Sequence, residues 1–130
     1  MNGAEAFRKA VEAADAAALL ATLADDVVFR SPAVHKPYEG KTEVSVILRA
    51  VVRVLEDFRY TEVYGEGSAH VLQFEARVGD RALEGADFLH TGDDGLVRDL
   101  RVMIRPLSGL NALVAGMQQA IPEVVAELSG

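Results

Sequence analysis

The chain contains no cysteine. That removes disulfides, thiolate nucleophiles and cysteine-based metal sites, and it suits a reducing compartment, so the cytoplasm is the expected location. Positive charge is also scarce: 13 Lys and Arg stand against 20 Asp and Glu, a formal charge of −7. A phosphate backbone is held by clustered basic side chains, so no nucleic acid partner is expected. No apolar run approaches the roughly 20 residues that span a bilayer, and residues 1–9 lack a basic stretch leading into an apolar one. Neither a membrane nor a secretory route is expected. No glycine-rich loop runs from a strand into a helix, and no histidine pair has metal-ligand spacing, so neither a cofactor nor a metal is predicted. The partners that remain are a small molecule and a second copy of the chain.

Half of the 130 residues are hydrophobic, enough to bury one core without staples, and one domain over 1–130 is the natural count. Asn2 and Glu5 are spaced as a capping pair. Phe7, Ala10, Val11 and Ala14 then recur on one helical face, which predicts an amphipathic helix ending near Ala14. Asp15 reads as the N-cap of a second helix over 16–23 that stops at Asp25 and Asp26, with a short strand over 27–31 behind it. Two prolines and Gly40 make 32–40 a loop. Thr42 is expected to cap a third helix, whose Val44, Ile47, Leu48, Val51, Val54 and Leu55 follow an i, i+3, i+4 pattern.

From Phe58 the period changes to two. Strands are predicted over 58–64, 70–78, 82–90 and 96–105, and the short glycine-bearing connections between them require antiparallel neighbours. The stretch 107–128 is again helical, with Pro122 marking a kink or a break. It is expected to pack on the protein surface rather than to cross the open end of the fold. The predicted class is therefore α+β, a curved antiparallel sheet packed on three helices from the N-terminal half, with a C-terminal helical extension.

Alternation sorts the side chains. Leu72, Phe74, Ala76 and Val78 form one inward set, and Leu100, Val102 and Ile104 another. Gln73, Glu75, Arg77, Arg101, Met103 and Arg105 fall on the outer face, where ion pairs of the arginines with Glu75 or Glu84 are expected. The strand 82–90 is the exception: its inward set of Leu83, Gly85, Asp87 and Leu89 puts a carboxyl group among apolar side chains. Desolvation there favours the neutral acid and raises its pKa, so Asp87 is a candidate acid, base or hydrogen-bond donor. The alternative is a structural acid satisfied by a backbone donor, a tyrosine or an arginine.

Several local features occur in a telling order: Leu23-Ala-Asp-Asp-Val-Val-Phe29, Pro37-Tyr-Glu-Gly-Lys41, Leu83-Glu-Gly-Ala-Asp-Phe-Leu89 and Asp94-Gly-Leu-Val97. In that order and spacing the chain resembles the SnoaL-like branch of the nuclear transport factor 2-like superfamily, with the likeness reaching to about Pro106. The resemblance implies a cone-shaped half-barrel, a small hydrophobic ligand held between the concave sheet and the helices, and a homodimer formed through the outer face of the sheet. It also implies roles. Asp87 falls where the ketosteroid isomerases of the superfamily carry the protonated acid of their oxyanion hole. Their general-base aspartate corresponds to Ser31 and their first-helix tyrosine to Phe7. A serine does not shuttle a proton between carbons at neutral pH, so that isomerase chemistry is expected to be absent. The epoxide-hydrolase pattern lacks its arginine in Gly85-Ala86-Asp87. SnoaL-type cyclase chemistry stays open, with Asp87 or His35 as the acid or base.

His35, in the 32–40 loop, is thus a second catalytic candidate, since imidazole suits proton transfer near neutrality; the plainer alternative is a solvated loop residue. Ser31 and Tyr38 are candidate donors to a bound carbonyl, although the Tyr38 ring could equally pack on Pro37. Phe7, Phe29, Phe74, Val102 and Ile104 are candidate lining residues. His70 and His90 read as structural or exposed. The leading expectation is acid–base chemistry by Asp87 on a small, largely apolar metabolite. Its rivals are a non-catalytic binding or dimerisation module and an outer face that engages a different protein. An interior filled by Phe7, Phe29, Phe74 and Phe88 would favour the module, and an open cavity ending at Asp87 a ligand site.

Overall fold

The computed structural model describes residues 3–130, so the capping role expected of Asn2 lies outside the described residues. Helices α1 (Gly3–Glu12) and α2 (Ala16–Ala21) precede strand β1 (Leu23–Arg30), the short β2 (Tyr38–Glu39) and helix α3 (Lys41–Val54). Strands β3 (Glu56–Glu66), β4 (Ala69–Val78), β5 (Arg81–Thr91) and β6 (Val97–Arg105) follow, and α4 (Leu107–Ser129) closes the chain. The six strands form one open sheet in the order β2-β1-β6-β5-β4-β3. The meander β3 to β6 is antiparallel as expected, whereas β1 runs parallel to β6, which makes the sheet mixed. No described helix is long and apolar enough to cross a membrane.

The predicted inward sets meet the helices. Leu72, Phe74, Leu89 and Leu100 are buried together with Phe7 and Ala10 of α1, Val27 and Phe29 of β1, and Val44, Ile47 and Leu48 of α3. Asp15 caps α2 as expected, accepting from the Ala18 amide at 3.0 Å.

Three local expectations need correction. The acids Asp25 and Asp26 do not stop α2; the helix ends at Ala21, and both acids lie in β1, where Asp26 pairs with Arg98 of β6. The pairing of β1 with β6 shifts register between Leu23 and Val28, and this irregularity breaks the alternation that would have marked a longer strand. Thr42 is not a cap, because α3 already includes Lys41; its N-cap is Gly40 at φ 89°, a backbone geometry suited to glycine. Pro122 does not break α4. Proline removes one backbone bond, but Ala120 and Val124 on either side of it are buried against Ala50 of α3, and Arg53 forks onto Glu127.

The placement of α4 also differs from expectation. It runs along α3 and reaches the inner face of β4, β5 and β6, where Leu113 joins Phe74, Ala76 and Leu83 in a second core cluster. Gly109 allows that approach: a Cβ there would stand 2.7 Å from both the Ala82 carbonyl oxygen and the Leu83 Cβ. The helix therefore roofs the cone instead of lying on its outer surface.

Candidate functional site

Between the sheet and α1, α3 and α4 lies a cavity of about 260 Å³. Phe7, Phe29, Phe74, Val102 and Ile104 line it, five of the side chains expected to do so. Phe88 is on the opposite face of β5, one residue out of phase with the inward Asp87. The interior is therefore apolar but not filled.

Asp87 reaches this cavity because β5 pairs with β4 without a register shift from Leu83 to Leu89, which keeps Leu83, Asp87 and Leu89 on one face. It is 7% exposed, and Tyr60 of β3 donates its hydroxyl hydrogen to Asp87 Oδ2 at 2.7 Å. The tyrosine spans β4 to do so. Tyr60 pairs with Phe74, Phe74 pairs with Gly85, and Asp87 is the next inward residue along β5. Gly85 clears the space, since a Cβ there would collide with the Met103 carbonyl and stand 2.7 Å from the Phe74 ring. Phe58, Tyr60 and Phe74 then form an aromatic group with ring centroids 4.8 to 6.4 Å apart. Burial pushes the Asp87 carboxyl up to about 7, against the opposing pull of the Tyr60 hydrogen bond. Burial, reinforced by the adjacent carboxyl, pushes the Tyr60 phenol well above its ordinary range. Tyr60 is therefore a fixed donor, and Asp87 is the group of the pair that changes charge near neutrality. With Oδ2 engaged, Oδ1 is the oxygen left for a bound molecule.

Two further acids line the cavity, Glu12 at the end of α1 and Asp57 at the start of β3. Both are exposed. Asp57 adopts a positive φ of 52° and is held there by Arg77, whose Nε donates to Asp57 Oδ2 at 2.6 Å while the same guanidinium bonds Glu56 and the Gly79 carbonyl. No lysine or arginine among the described residues lines this cavity. Among the described residues no group of three or more His, Asp or Glu side chains is placed to hold a metal ion.

The other sequence candidates are not brought to Asp87. His35 is exposed and lines a shallow recess with Arg30, Arg101 and Met103. Ser31 folds its own loop, accepting from the amides of Ala33 at 3.2 Å and Val34 at 2.9 Å. Tyr38 pairs with Phe29 across β1 and β2, their rings stacked at 6.1 Å. Ser31 and Tyr38 instead line a second cavity under α4. Buried His70 pairs with Leu89, and His90 is exposed. Tyr60 is the functional candidate that sequence reasoning missed. Its signal was an inward phenol two residues from Phe58 on the strand beside β4, but two register shifts between β3 and β4 hide the diagonal that joins it to Asp87.

Comparison with known proteins places the chain in a family. Residues 4–100 match the family described as SnoaL-like domain. A steroid delta-isomerase from Pseudomonas aeruginosa is 40% identical, with 95% of this chain and 92% of that chain covered and a TM-score of 0.89. A bacterially conserved protein with a cystatin-like fold from Silicibacter pomeroyi is 31% identical over 90% of this chain and 83% of that one, with a TM-score of 0.86. An NTF2-like protein from Mesorhizobium loti shares the fold at 14% identity, with 80% of this chain and 88% of that chain covered and a TM-score of 0.71. No curated protein matches the chain.

Proposed function

The chain belongs to the SnoaL-like domain family of the nuclear transport factor 2-like superfamily, and on that premise we propose that it binds a small, neutral, largely apolar molecule bearing one carbonyl or enol oxygen and exchanges a proton with it through Asp87. The observation that carries this reading is a carboxyl group inside an apolar cavity, bonded on one oxygen by Tyr60 and titrating at about 7. A general acid–base group works best when its pKa lies near the operating pH. In its neutral form Asp87 donates from Oδ1 to the ligand oxygen. In its ionised form, with Oδ2 held by Tyr60, it withdraws a proton from a carbon beside the carbonyl. The absence of a lysine or arginine from the cavity lining among the described residues disfavours an anionic ligand. The similarity to a steroid delta-isomerase supports proton transfer on an oxygenated ring compound, but Ser31 and Phe7 provide neither a second base nor a second phenol. Asp87 must therefore both take the proton and return it.

A specific observation favours a second reading, non-catalytic binding: Asp87 is the only titratable carboxyl group buried within the cavity among the described residues. Deuterium exchange at the α-carbon of 2-tetralone, followed by proton NMR, separates the two. Exchange accelerated by the wild type and lost in Asp87→Asn supports proton transfer; tetralone binding without exchange identifies a binding module.

The outer face of the sheet supports a homodimer. Tyr64, Val71 and Phe88 stand in register across β3, β4 and β5, and Met103 is 54% exposed beside them. Such a row suits a twofold interface, in which each copy presents the same patch. The cysteine-free composition supports a cytoplasmic location.

A further inference from the structure

The second cavity lies under α4, and its volume is also about 260 Å³. It is bounded by the 31–38 loop, α3 and α4, with Tyr38, Ile47, Val114, Met117 and Gln118 among its lining. Four residues line both cavities: Phe29, Pro32, Val51 and Leu113. The partition is thus one side chain thick, with Asp87 on one side and an apolar chamber with a few polar groups on the other. Each chamber alone falls just below the roughly 300–1,000 Å³ usual for drug-sized ligands, and together they fall within it. The helix that builds the second chamber lies beyond the residues matched by the family.

We propose that this chamber is a second subsite of the same binding site, which takes the distal apolar part of an elongated ligand whose oxygen is held at Asp87. The substrate class is therefore an elongated molecule, oxygenated at one end and hydrocarbon at the other, with α4 setting the length that is accepted. This rests on the reading of Asp87 as the group that meets the ligand oxygen. Val114 lines this chamber and not the first, and Leu113 is one of the four residues of the partition.

The test is a set of dissociation constants, measured by calorimetry, for 4-ethyl-, 4-butyl- and 4-octylphenol. Their hydroxyl serves as the oxygen function and their chain as the distal part. Each methylene moved from water into an apolar interior is worth roughly fourfold in affinity. The wild type is expected to bind 4-octylphenol at least about tenfold more tightly than 4-butylphenol, which corresponds to fewer than two fully buried methylenes by the same measure. Val114→Phe, which fills the chamber, collapses that ratio towards one, and Leu113→Ala, which thins the partition, raises it. A ratio that is flat in the wild type, or unaltered in both variants, overturns the subsite while phenol binding and its loss in Asp87→Leu leave the primary site standing. A wild type that binds none of the phenols overturns the reading of Asp87, and the subsite with it. Because the two variants move the ratio in opposite directions, misfolding of one does not imitate the expected pattern.

Discussion

The Asp87 carboxyl is a cost to the fold as well as a reactive group, and the two properties have one cause. Its folded pKa of about 7 lies above the ordinary 3.8, so the folded state holds the proton more tightly than the unfolded chain. The contribution of this one group to stability is then fully present where both states are protonated, below about pH 4, and is lost as the pH rises towards 7. A shift of this size corresponds to ~4 kcal/mol at most. Asp87→Asn keeps an oxygen for the Tyr60 hydrogen bond and removes the titration. Urea unfolding at pH 5 and pH 8 should show the variant gaining on the wild type at the higher pH, by a few kcal/mol on that scale; an advantage independent of pH would mean that Asp87 titrates as an ordinary carboxylate. The inward direction of Asp87 was legible because Leu83 and Leu89 share its phase on β5. Tyr60 was not legible: strand alternation gives the face of a residue, but not which residue two strands away it meets. That the loop candidates His35, Ser31 and Tyr38 lie away from the Asp87 cavity was not legible for a related reason. Proline and serine mark a loop, but its direction is set by contacts such as the Ser31 hydrogen bonds to Ala33 and Val34.

Elements that pack on others along their whole length were read well, and elements decided by a single contact were not. The meander followed its two-residue period, and α3 its apolar stripe. The end of α2 and the continuity of α4 depended instead on tertiary packing, which offsets the bond lost at Pro122. The seat of α4 depends in turn on Gly109. Gly109→Ala should cost about 1–3 kcal/mol through overpacking against Ala82 and Leu83, set against roughly 1 kcal/mol gained by removing glycine from a helix, a net destabilisation of up to about 2 kcal/mol. Chemical denaturation measures the difference, and a net stabilisation would mean that α4 does not bear closely on β5.

Across the whole molecule, charge and apolar surface are separated. The inner face of the cone is apolar apart from the Asp87 pair, its acidic rim and the buried His70 of β4. The outer face carries ion pairs such as Arg59 with Glu75 and Arg105 with Glu84 around the row of Tyr64, Val71 and Phe88. Exposed pairs of this kind add little stability, so the proposal of a dimer through this face rests on the row between them. Sedimentation should give twice the 13.9 kDa chain mass for the wild type and the single-chain mass for Met103→Glu; a wild type that sediments as one chain removes the dimer. The central claim is that a buried acid–phenol pair meets a neutral ligand inside the cone. It is tested most directly by following the Asp87 side-chain carboxyl by ¹³C NMR across pH, with and without 2-naphthol. A pKa near 7 is expected in the free protein, rising when naphthol excludes water from the cavity. A carboxyl that titrates near 4, or one whose titration is the same with and without naphthol, would contradict it.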